Sequence, residues 1–290
     1  MGRVVQRNNL PLVPLILLFV FLSSSVLSIH SRNNYDIDSL NYSSPDSSVV
    51  KIWDFQIEKP INDAAISGNG EYIVLGDNMR NISLFSKDSN ISLWSYQSPT
   101  GINHVSISKT GEYLVAGGHG LAGVYLFHRD SGVPVWQFQP GDDIRDVEIS
   151  EDGKYVAVAR SSGSVDLLSI ESNIPIWSFS NWDDEARSVA ISSNGDYIAA
   201  GGYSGELSLF HKDSNIPHWT HETTGEIDNV VMSLDGQYIA AGVYSHNHLY
   251  LFDKDGGGNE MWTYSTNNQI LSIDMSANGQ NIVMGLSDGV

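Results

Sequence analysis

The stretch from Ser188 to Trp219, SVAISSNGDYIAAGGYSGELSLFHKDSNIPHW, decides the fold. Its first residues alternate, with Val189 and Ile191 on one face, and Ser193-Asn194-Gly195 supplies a turn before Tyr197 to Gly201. Gly202-Tyr203-Ser204-Gly205 makes the next turn, Leu207, Leu209 and Phe210 mark a third strand, and a fourth is centred on Trp219. Four strands of about five residues cannot bury both faces alone, so such a unit needs copies of itself to pack on.

The copies are present. The Ser-x-x-Gly turn recurs with its glycine at Gly70, Gly111, Gly153, Gly195, Gly236 and Gly279, in steps of 41 to 43 residues. Trp53, Trp94, Trp136, Trp177, Trp219 and Trp262 advance in the same steps. Two markers in register predict an all-β propeller of four-stranded antiparallel blades, in which stacking around an axis leaves few edges open. The tryptophans are then expected mostly buried between sheets. Before the fourth strand the repeats hold only Asn or Gly, at Asn90, Gly132, Asn173, Asn215 and Gly257 or Gly258, which predicts a left-handed residue at each hairpin tip. About six repeats are visible and the last is incomplete: Gly289 aligns with Gly205, and Val290 precedes any counterpart of Leu207, Leu209 and Phe210. A C-terminal truncation is therefore expected. Val49 to Phe55 reads as a fourth strand with no blade before it.

From Val50 onward these repeats resemble the WD-repeat-like and quinoprotein-like (PQQ-repeat-like) propellers. The Ser-x-x-Gly turn before a Tyr-led strand resembles the first hairpin of a WD-repeat blade, and Asp130-Ser131-Gly132-Val133-Pro134-Val135-Trp136 is similar to the Gly-x-x-x-Trp docking motif of quinoprotein blades. Leu84-Phe85 and Leu209-Phe210 stand where a typical WD repeat ends its third strand in Trp-Asp. The quinone-dependent members stack their cofactor on a vicinal disulfide, and this chain has no cysteine, so no cofactor is expected. The resemblance implies a fold; function must come from the site.

Ahead of the repeats, Arg3 and Arg7 precede an apolar run from Leu10 to Leu22 that continues to Ile29. Residues 1–29 are expected to be a leader helix, either a cleaved signal peptide or an uncleaved anchor, and in both cases the rest is exported. Residues 30–48 have the composition of a flexible linker, and residues 49–290 form the propeller. The formal charge of −19 becomes −21 once Arg3 and Arg7 are set aside. Such a field excludes nucleic acid as a partner and leaves the membrane only the N-terminal segment.

Enzymatic constellations are missing. The nine histidines are scattered, no His-Glu-x-x-His spacing occurs, and no catalytic or metal-binding set is expected. Asp253 to Glu260 places carboxylates around glycines in the manner of a calcium loop, at a turn whose Asp is equally explained by hairpin geometry. The leading expectation is a non-enzymatic binding, scaffold or sensing module whose partner is a protein or another cell-surface ligand. The alternative is a quinoprotein-like or hydrolytic enzyme.

Because successive strands reverse direction, the loops between blades and those between second and third strands must emerge on one side. That side varies between repeats, whereas the tight turns opposite are stereotyped, so recognition is assigned to the variable face. Its candidate residues are Trp182, Asp183, Asp184, Glu185, Asp142, Asp143, His119, Tyr203, Tyr244 and His246. Trp182, outside the repeated ladder, reads either as an aromatic anchor with an acidic rim or as a side chain folded back over the blade edge.

Overall fold

The computed structural model describes residues 60–120, 123–180 and 182–287, and all of its regular structure is strand. The first sheet comprises β1 (Ile61–Ile66), β2 (Tyr72–Asp77), β3 (Asn81–Ser86) and β4 (Trp94–Gln97); the second, β5 (Ile102–Ile107), β6 (Tyr113–Gly118), β7 (Val124–His128) and β8 (Pro134–Phe138). The third holds β9 (Ile144–Ile149), β10 (Tyr155–Arg160), β11 (Val165–Ser169) and β12 (Trp177–Phe179); the fourth, β13 (Ala186–Ile191), β14 (Tyr197–Gly202), β15 (Glu206–His211) and β16 (Trp219–Glu222). The fifth contains β17 (Ile227–Met232), β18 (Tyr238–Val243), β19 (His248–Asp253) and β20 (Glu260–Ser265). In the sixth, β21 (Ile270–Met275) pairs with β22 (Ile282–Leu286). All pairings are antiparallel between consecutive strands. The expected leader helix, the linker and the strand around Trp53 lie outside the described residues, among which no helix is long and apolar enough to cross a membrane.

Each first hairpin is built by its Ser-x-x-Gly turn. The serine hydroxyl accepts the amide N–H five residues on, as Ser192 does from Tyr197 at 3.0 Å, and the glycines hold φ between 68° and 74°. The second hairpin differs from expectation. Asn90, Gly132, Asn173 and Asn215 are not left-handed; only Gly257 and Gly258 in the fifth sheet are. Serine hydroxyls close these turns instead, Ser131 accepting from Val133 at 3.1 Å and Ser214 from Ile216 at 3.0 Å. The Asn-or-Gly preference has another cause. Asn173 and Asn215 donate to the carbonyls of Gln137 and Ser178 on the preceding sheet, both at 3.0 Å, and Gly132 lets Trp94 approach to within 3.3 Å of where a Cβ would stand.

The first strands pack on one another in chain order, and each carries a bulge at the same register. The array curves around an axis: Glu148 on β9 feels the charge of Asp274 on β21, three sheets away. Between neighbouring sheets the ladder tryptophans act as pegs. Trp94, Trp136, Trp177 and Trp219 donate their indole N–H to the carbonyls of Arg129, Ile170, Lys212 and Lys254 on the next sheet, at 2.7 to 2.8 Å. Their burial is more graded than expected. Trp177 and Trp219 are buried, Trp94 and Trp136 half-buried, and Trp262 is 41% exposed because no strand of a following sheet covers it among the described residues.

Candidate partner-binding face

Loops between sheets and loops between second and third strands do share one side. Backbone bonds tie the two sets together sheet by sheet: His119 N–H to Gly101 carbonyl, Ser161 to Asp143, Tyr203 to Glu185 and Tyr244 to Glu226, at 2.9 to 3.3 Å. Each variable segment is thereby anchored to the frame at both ends.

At the inner rim of this face the bulge residue of the first strand is polar in the first five sheets, and in the third to fifth it is charged. Arg145 Nη2 lies 2.6 Å from Glu185 Oε1; Arg187 reaches Glu185 Oε2 at 3.4 Å and Asp228 Oδ1 at 2.6 Å. The result is an alternating belt across three sheets, Arg145–Glu185–Arg187–Asp228. Tyr203 lies against its outer side, with the Arg187 guanidinium 4.5 Å from the ring centre. A hydrogen bond to the Glu226 carboxylate pushes the Tyr203 phenol above its ordinary range.

The other candidates fall into three settings. Asp142 is engaged within its own sheet, 3.0 Å from Arg160 Nη1 and accepting from the Ser162 amide. Asp143 accepts the Gly120 N–H at 2.7 Å and faces His119 at 3.4 Å, while His119 also meets the Asn103 amide at 3.2 Å. Asp183 and Asp184 are exposed, Asp184 accepting the Glu185 N–H, and His246 is exposed beside Ser245. Trp182 is 6% exposed: it packs edge-on to Phe179 in the core of the third and fourth sheets, against Gly202, where a Cβ would come within 3.1 Å of the indole. It is thus the folded-back side chain of the two alternatives. Glu206, facing its indole, has a pKa raised by burial.

Arg145, Arg187 and Asp228 were missed by the sequence reading. Their signal was available, since aligning first strands across repeats puts Asn62, Asn103, Arg145, Arg187, Asp228 and Leu271 at one register, charged in three repeats and next to a position that is always apolar. Below the belt, carboxylates stitch first strand to first strand. Asp63 accepts Val105 N–H at 2.8 Å, Asp146 accepts Val189 N–H at 2.9 Å, and Glu148 accepts Ile191 N–H at 2.8 Å. Burial, with Asp146 and Asp274 nearby, pushes Glu148 up to about 8, and burial raises Asp63 against the pull of His104.

Among the described residues no group of three or more His, Asp or Glu is arranged to hold a metal ion. In the Asp253–Glu260 turn both oxygens of Asp253 accept from the Gln237 amide at 3.0 Å, and Asp255 pairs with Lys254 at 2.6 Å.

Residues 122–194, from the edge of the second sheet's third strand to the first hairpin of the fourth, match the family model of the WD40 domain of anaphase-promoting complex subunit 4. No curated protein matches the chain. A WD40 match over the middle of the array, flanked on both sides by the same four-stranded sheet, supports a WD-repeat-like β-propeller.

Proposed function

We propose that this propeller is a protein-interaction module that works outside the cell, as a scaffold or sensing domain, and takes its partner on the variable face. WD40 repeats point to protein interaction or scaffolding. The observation that carries the assignment to this face is the Arg145–Glu185–Arg187–Asp228 belt with Tyr203 beside it: fixed charges of both signs and a 40% exposed aromatic ring on a rigid frame. Such a rim selects a partner of matching charge pattern. Export rests on Arg3, Arg7 and the apolar run from Leu10, and the partner is accordingly sought among cell-surface proteins.

The test is proximity labelling at the native cell surface with the full chain, compared with a Tyr203→Ala, Arg187→Ser variant. Partners captured by the wild type should fall at least tenfold for the variant. Equal capture by a folded variant moves the site off this face. Failure of the chain to reach the surface removes the export half of the proposal and leaves the interaction half standing.

A further inference from the structure

The first sheet departs from its repeats at one turn, and the backbone does not account for the departure. Between third and fourth strands the second, third and fourth sheets read Gly132-Val133-Pro134, Asn173-Ile174-Pro175 and Asn215-Ile216-Pro217, whereas the first reads Asn90-Ile91-Ser92. The turn is otherwise the same. Ser89 Oγ accepts the Ile91 N–H at 3.1 Å, as Ser131, Ser172 and Ser214 do for Val133, Ile174 and Ile216. The Leu93 N–H reaches the Leu84 carbonyl at 2.7 Å, as that of Ile176 reaches Leu167. Ser92 is therefore not needed to close the turn, which accepts proline at its position elsewhere. Its hydroxyl meets Ser95 Oγ at 3.5 Å, long for an O–H···O bond.

What Ser92 does complete is Asn-x-Ser, the acceptor sequence for N-linked sugar. Asn90 is exposed and Ile91 is 75% exposed, so the tripeptide stands off the sheet. A side-chain amide has two N–H groups. Asn173 and Asn215, at the register of Asn90, each give one to a carbonyl of the preceding sheet, and a glycosidic bond replaces a single hydrogen. An asparagine at this register can thus keep its structural donor when modified. A second tripeptide, Asn81-Ile82-Ser83, is taken up by the fold. The Asn81 amide donates to Asp77 Oδ2 at 2.9 Å and its backbone N–H to Asp77 Oδ1 at 2.8 Å; Asp77 and Ile82 are buried, and Ser83 Oγ lies 2.8 Å from Ser95 Oγ across β3 and β4. A third, Asn41-Tyr42-Ser43, lies outside the described residues.

We propose that Asn90 is a site of N-linked glycosylation and that Asn81 is not, a reading that rests on the export proposed above. The sugar donor is a polyprenyl-phosphate-linked oligosaccharide. Asn90 Nδ2 forms a bond to C1 of the first sugar, the C1–O bond to phosphate breaks, the phosphate leaves with the electron pair, and the amide gives up one proton. Only an exposed turn can offer Nδ2 to such a transfer once the sheets have closed; Asn81 opens β3, which is paired on both sides. The turn between third and fourth strands emerges opposite the loops that carry Glu185 and Tyr203. The sugar thus marks the tight-turn side of the first sheet and leaves the partner face clear.

The test is cell-free translation of the full chain with microsomes, in an Asn41→Gln background and in two forms, one with its own N-terminus and one with a proven secretory signal placed ahead of it. Protection from added protease reports entry. The translocated chain should carry one glycan, which peptide N-glycosidase removes and peptide mapping assigns to Asn90. Asn90→Gln and Ser92→Pro should each abolish it completely. Ser92→Pro installs the residue that three other sheets carry, so it separates loss of sugar from loss of fold. Asn81→Gln should leave the glycan in place. A translocated chain with Asn90 bare, or with sugar on Asn81, overturns the proposal. Entry of the form with the added signal alone counts against export, and the sugar on Asn90 is then decided on that form.

Discussion

The third and fifth sheets share the register of their first three strands and almost none of their polar chemistry. Where the third has Arg160, Asp166, Asp146 and Glu148, the fifth has Val243, Tyr250, Asn229 and Val231. The Arg160 side chain, 14% exposed, lies 2.8 Å from Asp166, itself 1% exposed, and 3.0 Å from Asp142; Ser178 donates to Asp166 as well. In the fifth sheet Tyr250 fills the same place and stacks on Phe252 at 6.2 Å. The repeat therefore specifies strand length, turn and peg, and leaves the filling of each wedge open to either ions or rings. Buried ions bring no general advantage in stability over well-packed apolar groups, but one left without its partner is costly.

The sharpest way to break the comparison is to strand one of those ions. Arg160→Leu leaves Asp166 buried and unpaired, and a loss of about 3–5 kcal/mol is expected by chemical denaturation at neutral pH. Burial already raises the Asp166 pKa in the native protein, and removal of Arg160 raises it further. The variant should therefore recover part of its loss as pH falls and the carboxyl takes up a proton. Importing the fifth sheet's pair, Arg160→Val with Asp166→Tyr, should cost far less than Arg160→Leu alone. A double variant as unstable as the single one would mean that the wedge, and not the charge, sets the requirement.

A second contrast is between Glu148 and Val231 at one axial register. In the unfolded chain the Glu148 carboxyl loses its proton near its ordinary value of 4.5, but in the fold it holds it up to about 8. Its folded pKa is thus raised, so its favourable contribution is full below about pH 4.5, declines as pH climbs, and is lost above about pH 8. Glu148→Gln stays neutral and can still accept the Ile191 N–H. It should match the wild type in acid and exceed it by on the order of 1–3 kcal/mol at pH 9. A stability difference that does not vary with pH would show that Glu148 ionises freely in the fold.

These contrasts also mark what was legible beforehand. Gly195 and its five counterparts, spaced with the tryptophans, carried the fold, because a left-handed turn and an inter-sheet peg are demands of the backbone that each repeat must meet alone. The hairpin asparagines were misjudged since their role is not local: Asn173 and Asn215 reach a carbonyl on another sheet, a contact that no turn statistic contains. The site was half legible. Topology placed Glu185 and Tyr203 on the variable face, but Trp182 went inward because Gly202 opens room for its ring, and the matching arginines sat inside strands, at bulges that break the alternation of their neighbours.

The smallest effect separates two pegs of the same ladder. Trp219 is 6% exposed and donates its indole N–H to Lys254 at 2.8 Å, while among the described residues the sixth sheet has no third strand to receive that of Trp262. Trp219→Phe keeps a ring against Phe252 but leaves the Lys254 carbonyl without this donor, at a cost of about 1–2 kcal/mol. Trp262→Phe removes the same N–H from an exposed position and should shift stability by less than about 0.5 kcal/mol. The two substitutions can be compared in one denaturation series. Equal losses would mean that the Trp262 N–H has a partner as costly to lose as that of Trp219.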